Sequence, residues 1–509
     1  MNAFGIDLGT TNSCIAILGH SGQPHVFQNF EGLYTTPSVV YFGDGPLDSG
    51  EIIVGQDAKN QMVINPQRTV SFIKRQMSNP AYRRQINPHI NISPALVSAL
   101  ILRKLVCDAN ESRRADGLQP INKAVISVPA YFGHNERALT KQAGHLAGLR
   151  VIDIINEPTA AALSYGGIYP DGSNIMVYDL GGGTFDVSIM RMRGSKMDTI
   201  STDGNQRLGG KDWDEALLNY ALQRAGLGIT VNDIADTPEY PAMMLNAENC
   251  KKQLSRMPQS SLRFTYQGQI YVQQITRTTF EEITVDLLEK TINIIRHAFS
   301  IAIENITPDD INEIILVGGS SYMPMVINRL RKEFSCNIRL DPGKPDRAVA
   351  EGAAIYAAQH DGFATETTIG NDLSSHSYGM RSYLRGTDQE MVFNLIKRDD
   401  PLVFDQTHTF CTRGDKQTSA LIQIYETDSV DDKVELTEAR LLEKKEINWG
   451  SPVDKDTNIT LHVIRAKDGI VHIEAECQNS RARFDITPRG LITDDDAEPL
   501  REIITNLEL

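Results

Sequence analysis

Short apolar runs punctuated by glycine, threonine and aspartate open the chain. Residues 3–6 and 14–18 are apolar and enclose Asp7-Leu8-Gly9-Thr10-Thr11-Asn12-Ser13. The arrangement returns with residues 175–178 and 187–190 around Asp179-Leu180-Gly181-Gly182-Gly183-Thr184-Phe185-Asp186. Each copy predicts a β-hairpin with a glycine- and hydroxyl-rich tip. Helical periodicity covers 94–110 and 135–149. Short buried strands are predicted over 124–128, ended by Pro129, and over 151–155. Helices over 213–225 and 280–304 follow, then a strand over 314–317. The break Gly318-Gly319-Ser320 precedes a helix over 324–334 and a small-residue helix over 348–358. This alternation predicts an α/β fold.

The pattern changes after Gln359. Residues 360–371 are short and polar, with Gly362 and Gly370, and read as a linker. Period-two alternation then predicts strands over 392–396, 407–412, 420–425, 459–464, 470–476 and 482–486, with Asp468-Gly469 as a hairpin turn. Residues 493–509 begin like a helix capped by Thr493 or Asp494. The predicted organisation is an α/β domain over 1–359, a linker over 360–371, an antiparallel β-domain over 372–492 and a helical stub over 493–509.

Bulk properties narrow the function. At 509 residues the chain exceeds one ordinary core, and 41% hydrophobic with 23% charged residues is a globular composition. A formal net charge of -15 argues against nucleic acid or an anionic membrane as main partner. No apolar run is long enough to span a bilayer, and the first strand starts too early for a signal peptide. The six cysteines form no C-x-x-C pair and read as free thiols of a reducing cytoplasm. The eleven histidines show no metal-ligand spacing, and there is no Walker A loop.

The repeated hairpin is therefore the principal chemical signal. A turn rich in glycine and threonine presents backbone N–H groups and hydroxyls to phosphate oxygens. Two such turns, each led by an aspartate, suit a magnesium-bound nucleotide between two similar halves facing across a cleft.

With those residues in view, the chain resembles the DnaK-type heat-shock chaperone family. The resemblance is carried by Gly5-Ile6-Asp7-Leu8-Gly9-Thr10-Thr11-Asn12-Ser13, Val128-Pro129-Ala130-Tyr131-Phe132 and Ala147-Gly148-Leu149. It continues through Ile155-Asn156-Glu157-Pro158-Thr159-Ala160-Ala161-Ala162, the second hairpin, Val317-Gly318-Gly319-Ser320 and Pro345-Asp346. These occur in the family's order over roughly the first 360 residues. A shortened stretch between Trp213 and Phe280 resembles the divergent HscC-type branch.

The resemblance implies an actin-like ATPase domain of two lobes followed by an antiparallel β-sandwich domain, with ATP or ADP and Mg2+ as cofactors. It implies that Gly9, Thr10, Thr11 and Asn12 hold phosphates from one lobe, and Gly181, Gly182, Gly183 and Thr184 from the other. Asp7 and Asp179 would hold magnesium. Lys74 would serve at the γ-phosphate, and Glu157 and Asp186 would orient the attacking water. For base and ribose it points to Glu248, Lys251, Lys252, Ser255, Gly318, Gly319, Ser320 and Asp346, with Tyr322 where the family usually has arginine. Residues alone leave Lys74 open as a solvated lysine, and the face carrying Glu248 and Ser255 open as a solvated helix. Pro129 and Arg137 match the family's relay between the two domains.

For clients, the resemblance points to a groove lined by Met380, Ser382, Tyr383, Phe410, Ala420 and Ile422, although alternation in a β-domain equally describes its own core. Three departures stand out. The linker Thr367-Thr368-Ile369-Gly370-Asn371-Asp372-Leu373 lacks the family's leucine run, so coupling is expected to be weak or rebuilt. Asp153 replaces an arginine that meets the J-domain co-chaperone, which implies a dedicated or absent J partner. No helical lid is expected after the sandwich, so clients should exchange fast. The leading expectation is a cytoplasmic, ATP-hydrolysing chaperone for unfolded polypeptides. A nucleotide-binding scaffold or exchange factor with little turnover is the alternative, and a small-molecule kinase of the same fold is a third.

Overall fold

The computed structural model describes residues 3–509 except 167, 168, 364, 366, 385, 466–470, 479, 487 and 508. The expected Asp468-Gly469 turn lies outside the described residues, as does the start of the strand expected over 470–476.

The sequence repeat is a repeat of topology. One sheet runs in the order Arg150–Asn156, Lys123–Val128, Phe4–Asp7, Asn12–Leu18, Pro24–Val26. Its first three strands are parallel and the rest antiparallel. The second sheet runs Asn337–Arg339, Glu313–Val317, Asn174–Leu180, Phe185–Arg193, Lys196–Asn205, with the same order of parallel and antiparallel pairs. Each hairpin tip therefore leaves its sheet at the equivalent place, and the two tips meet. The fold is an actin-like ATPase domain of two lobes.

Two small-residue helices join the lobes, Glu157–Ser164 and Ala348–His360. Their backbones approach so closely that a Cβ on Gly352 would lie 1.6 Å from the Ala160 carbonyl oxygen. A Cβ on Gly5 would lie 2.0 Å from the Ala354 nitrogen, so the long helix also needs a bare strand beneath it. The helix expected over 280–304 is two, Arg277–Ile283 and Val285–Ser300. Between them the Thr284 hydroxyl bonds back to the Phe280 carbonyl at 2.7 Å, a local bond that competes with helix continuation.

The β-sandwich packs a five-stranded sheet on a four-stranded one. The first runs Lys433–Glu435, Glu390–Ile396, Ser377–Tyr383, Gln417–Thr427, Arg440–Val453. The second runs Phe404–Cys411, Asn458–Arg465, Val471–Cys477, Ser480–Asp485. Every pair is antiparallel. The pattern missed Ser377–Tyr383 and the long Arg440–Val453, whose Glu443, Lys444, Lys445 and Glu446 obscure the alternation.

The sandwich is docked on the lobes. Thr368–Ile369 extends the second sheet as a sixth strand, parallel to Lys196–Asn205. Gly370 N–H donates to the Met197 carbonyl and Thr199 N–H to the Asn371 carbonyl, both at 2.9 Å. Main-chain bonds thus seat a linker that lacks leucines. The terminal helix Asp494–Asn506 lies against Pro94–Ala115 and His134–Leu146, with Ala497 and Ile504 buried in the first lobe's core.

Gly352→Ala is expected to lower stability by at least about 2–3 kcal/mol, because the clash is with backbone rather than a flexible side chain. Urea unfolding of the full chain followed by far-UV circular dichroism checks this.

Candidate nucleotide site

The floor of the cleft is built from strand ends. Asp7 ends the first strand and Asp179 is its counterpart in the second hairpin, where it sits opposite Asp186 in register. Like charges facing across a ladder are unfavourable, so this pairing needs another reason to exist. Glu157 starts the interlobe helix directly after the strand ending at Asn156. Asp179, Asp186 and Glu157 are buried and Asp7 is half-buried.

Lys74 reaches this cluster from the short 3-10 turn Ile73–Gln76, entered through Phe72 at φ 55°. A bulky residue in the left-handed region is strained, and here it turns Lys74 inward. Lys74 is buried, ion-pairs with Glu157 and lies 5.8 Å from the Phe132 ring centroid. One ammonium does not balance four acids. Burial, and then the charge of Glu157, pushes the Asp7 carboxyl up to about 7 and holds Asp179 and Asp186 well above the usual carboxylate range. Both Asp186 oxygens and the Thr11 hydroxyl are buried without a hydrogen-bond partner. Buried orphans of this kind mark missing ligand atoms. A divalent cation and phosphate oxygens fit them: the cation would neutralise the acids, and the hydroxyl would donate to the anion.

The two tips interlock above this floor. A Cβ on Gly182 would lie 1.9 Å from Thr11 Oγ1, and one on Gly183 2.4 Å from Thr10 Cγ2. Gly210 and Lys211 N–H groups hold the Gly181 and Gly182 carbonyls at 2.9 Å. A narrow space of about 80 Å³ is lined by Asp7, Gly9, Lys74, Glu157, Asp179 and Thr184. It opens into a cavity of about 910 Å³ that shares Thr10, Thr11, Asn12, Gly182, Gly319 and Asp346 with it and reaches Glu248, Ser255 and Tyr322. A narrow niche between the glycine tips leading into a wider chamber suits a phosphate chain with its base and sugar beyond it.

At the chamber end the expected residues divide. Glu248 is held between Lys59 of the opposite lobe, 2.7 Å away, and Lys252, 2.6 Å away. Burial alone would raise Glu248, but the two lysines outweigh it and bring it to about 2. Lys251 lines the chamber, and its ammonium bonds the Gly210 carbonyl at 2.8 Å and Asp214 at 2.8 Å, so it also steadies the glycine turn. The Ser255 hydroxyl donates to the Lys251 carbonyl at 3.1 Å and Ser320 to the Gly181 carbonyl at 2.9 Å. Tyr322 is half-buried and its hydroxyl accepts from Gly343 N–H at 3.0 Å, which fixes the ring at the chamber wall. Gly318, at φ 80°, leaves no room for a Cβ beside Asp179.

The Hsp70 protein family matches residues 3–504 of this chain. The chain belongs to the Hsp70 family. Membership agrees with the two-lobed ATPase domain and appended sandwich, and places the chain among ATP-dependent chaperones, a family that binds nucleotide with Mg2+.

Two Hsp70 site features escaped sequence reasoning. Arg75 donates to the Gly183 carbonyl at 2.9 Å and to Asp212 at 3.0 Å, so it ties the lysine-bearing turn to the opposite tip. Lys59 is the cross-lobe partner of Glu248. Neither has a spacing signal, because both partners lie more than a hundred positions away.

Outside the cleft, Asp153 is also a correction. It is not a reversed surface charge but a buried one, accepting from the Tyr356 hydroxyl at 2.8 Å and 3.1 Å from His360 Nε2. Of the six expected groove residues, Met380 and Ile422 sit in the sandwich core, with Phe410 and Ala420 packed against it. Ser382 is half-buried. Tyr383 is exposed, with the Arg413 guanidinium 3.8 Å from its ring centroid.

Lys59→Ala removes one of two partners from Glu248 and the direct bridge between lobes. ADP dissociation, followed by stopped-flow with a fluorescent analogue, is expected to accelerate about tenfold, corresponding to about 1.4 kcal/mol. The bridge is present above the ordinary glutamate range and is lost only as pH falls toward 2. The wild-type-to-variant ratio should therefore hold constant between pH 6 and 8.

Proposed function

We propose that this chain binds extended apolar segments of unfolded or client polypeptides and uses slow hydrolysis of ATP to ADP and phosphate to switch their affinity. The observation that carries the reading is a continuous set of buried contacts from the acid cluster to the sandwich. Asn156 immediately precedes Glu157. Its side-chain N–H donates to Asp372 at 2.6 Å, where the linker enters the sandwich, and its carbonyl accepts from Arg137. Arg137 Nε also donates to the Phe132 carbonyl at 2.9 Å, three residues after Pro129. A shift at Glu157 therefore displaces a group that directly holds Asp372.

Within the cleft, phosphoryl transfer needs positioning and charge neutralisation more than covalent help. Lys74 would neutralise charge growing on the transferred phosphoryl group, with Glu157 fixing the ammonium. Asp186, with both oxygens free, would accept from the attacking water and orient it, and the Thr184 hydroxyl would donate to the phosphate. Asp7 and Asp179 would hold Mg2+, which supplies charge neutralisation when bound. Gly9, Thr10, Thr11, Asn12, Gly181, Gly182 and Gly183 would cradle the phosphates, and Tyr322 would stack on the base. Client binding would use the sandwich mouth near Ser382, Tyr383 and Phe410, with Met380 and Ile422 reached only as the sheets part. Domain boundaries near 359, 371 and 492, a cytoplasmic location and a J-domain co-chaperone complete the reading. Among the described residues no helix is long and apolar enough to cross a membrane.

A fluorescent apolar peptide bound to the full chain should dissociate at least about tenfold faster on adding Mg-ATP. Peptide release that ignores ATP would overturn the switch. Lys74→Ala should slow single-turnover hydrolysis by about 100-fold or more while leaving ATP-driven release in place. Asp372→Ala should do the reverse, abolishing accelerated release with hydrolysis within about threefold of wild type.

A further inference from the structure

The docked interface buries a cluster of titratable groups that the nucleotide chemistry does not use. Glu136, on the helix His134–Leu146 of the first lobe, is buried, and so is Glu426 on the sandwich strand Gln417–Thr427. Glu136 Oε2 and Glu426 Oε1 both lack hydrogen-bond partners. They converge on one point: a Cβ on Gly133 would lie 2.8 Å from Glu426 Oε1 and 3.3 Å from Glu136 Oε2. The same point is 2.9 Å from His376 Cδ2. His376 belongs to the sandwich and bridges outward, with Nε2 2.9 Å from the Tyr131 carbonyl and Nδ1 2.7 Å from Asp428. Ser375 beside it donates to the Phe132 carbonyl at 3.2 Å.

The remaining groups facing the cluster leave these two oxygens without a hydrogen bond. Arg440 ion-pairs with Glu426 through the other oxygen, Oε2. The Tyr378 hydroxyl accepts from the His134 N–H at 3.2 Å, and the Arg465 guanidinium lies 5.4 Å from the Tyr378 ring centroid. Asp428 is held below the usual range by its bond to His376. Two orphaned carboxylate oxygens from opposite domains, facing one another out of water, repel when both are ionised. They become compatible when one carries a proton.

We propose that docking of the sandwich on the first lobe takes up protons at Glu136 and His376, which meet Glu426 across the interface, so that the docked state weakens as pH rises. The direction is common to both halves of the cluster. Burial, and then Glu426, raises Glu136 above its ordinary 4.5. Burial would lower His376, but Asp428 and Glu426 outweigh it and raise it above 6.5. A group raised on docking stabilises the docked state fully below its free value and loses that contribution as pH climbs through the docked one. The sensitive window therefore begins above 4.5 for Glu136 and above 6.5 for His376. This goes beyond the chaperone reading, and its readout needs neither a client nor hydrolysis.

The test is resonance energy transfer in the full chain with saturating Mg-ATP, between fluorophores carried by bio-orthogonal side chains at exposed Leu118 and Val430. The docked fraction should fall by about threefold or more between pH 6 and 8.5. Glu136→Gln keeps the shape without the charge, and so does Glu426→Gln, the second variant should the first fail to fold. Either should stay more docked than wild type at pH 8.5 and make the profile shallower, the remaining slope being that of His376 beside Asp428. A wild-type docked fraction that ignores pH, or an unchanged slope in both variants, would overturn the proposal.

Discussion

Charge compensation at the floor of the cleft is the constraint around which the molecule is arranged. Asp179, Asp186 and Glu157 are buried beside the half-buried Asp7, with a single ammonium, Lys74, among them. Burying acids costs free energy unless cations or protons balance them. The fold holds them there because each sits at the end of a strand or the start of a helix that cannot move independently. The unbalanced cluster has a shape and charge suited to a divalent cation with a phosphate chain.

The lobes must close over that cluster, and closure rests on contacts between distant segments. The interlocked glycine tips, the Arg75 bonds to Gly183 and Asp212, and the Lys59–Glu248 bridge all cross from one lobe to the other. The helix pairing at Gly352 and Ala160 provides a tight pivot behind them.

The same economy governs the sandwich. A linker without leucines docks through main-chain bonds to Met197 and Thr199, and the polar groups of Asn156, Asp372, Ser375 and His376 fasten the sandwich to backbone carbonyls and side chains of the first lobe. An interface built from hydrogen bonds and buried titratable groups responds to small changes in charge, whereas an apolar one responds chiefly to area.

Local pattern carried the hairpins, the pairing of Asp7 with Asp179, the interlobe helix at 348–358 and most sandwich strands, because each depends on neighbours within a turn or a strand. The placement of Lys74 among the acids was legible only through its family motif, since one lysine in Phe72-Ile73-Lys74-Arg75 has no periodic signature. Contacts spanning 108, 189 and 216 positions, those of Arg75, Lys59 and Asp372, were not legible at all. The burial of Asp153 under Tyr356 reversed an expectation drawn from position alone, and the bond of Lys251 to Asp214 had no signal in the sequence. The sequence by itself thus determined which segments form strands, turns and helices and where phosphate chemistry belongs, because backbone preference and hydrophobic period are short-range. Only the tertiary structure decided which charges are buried and which groups bridge the lobes. Desolvation and ion pairing depend on what distant segments bring to the same point.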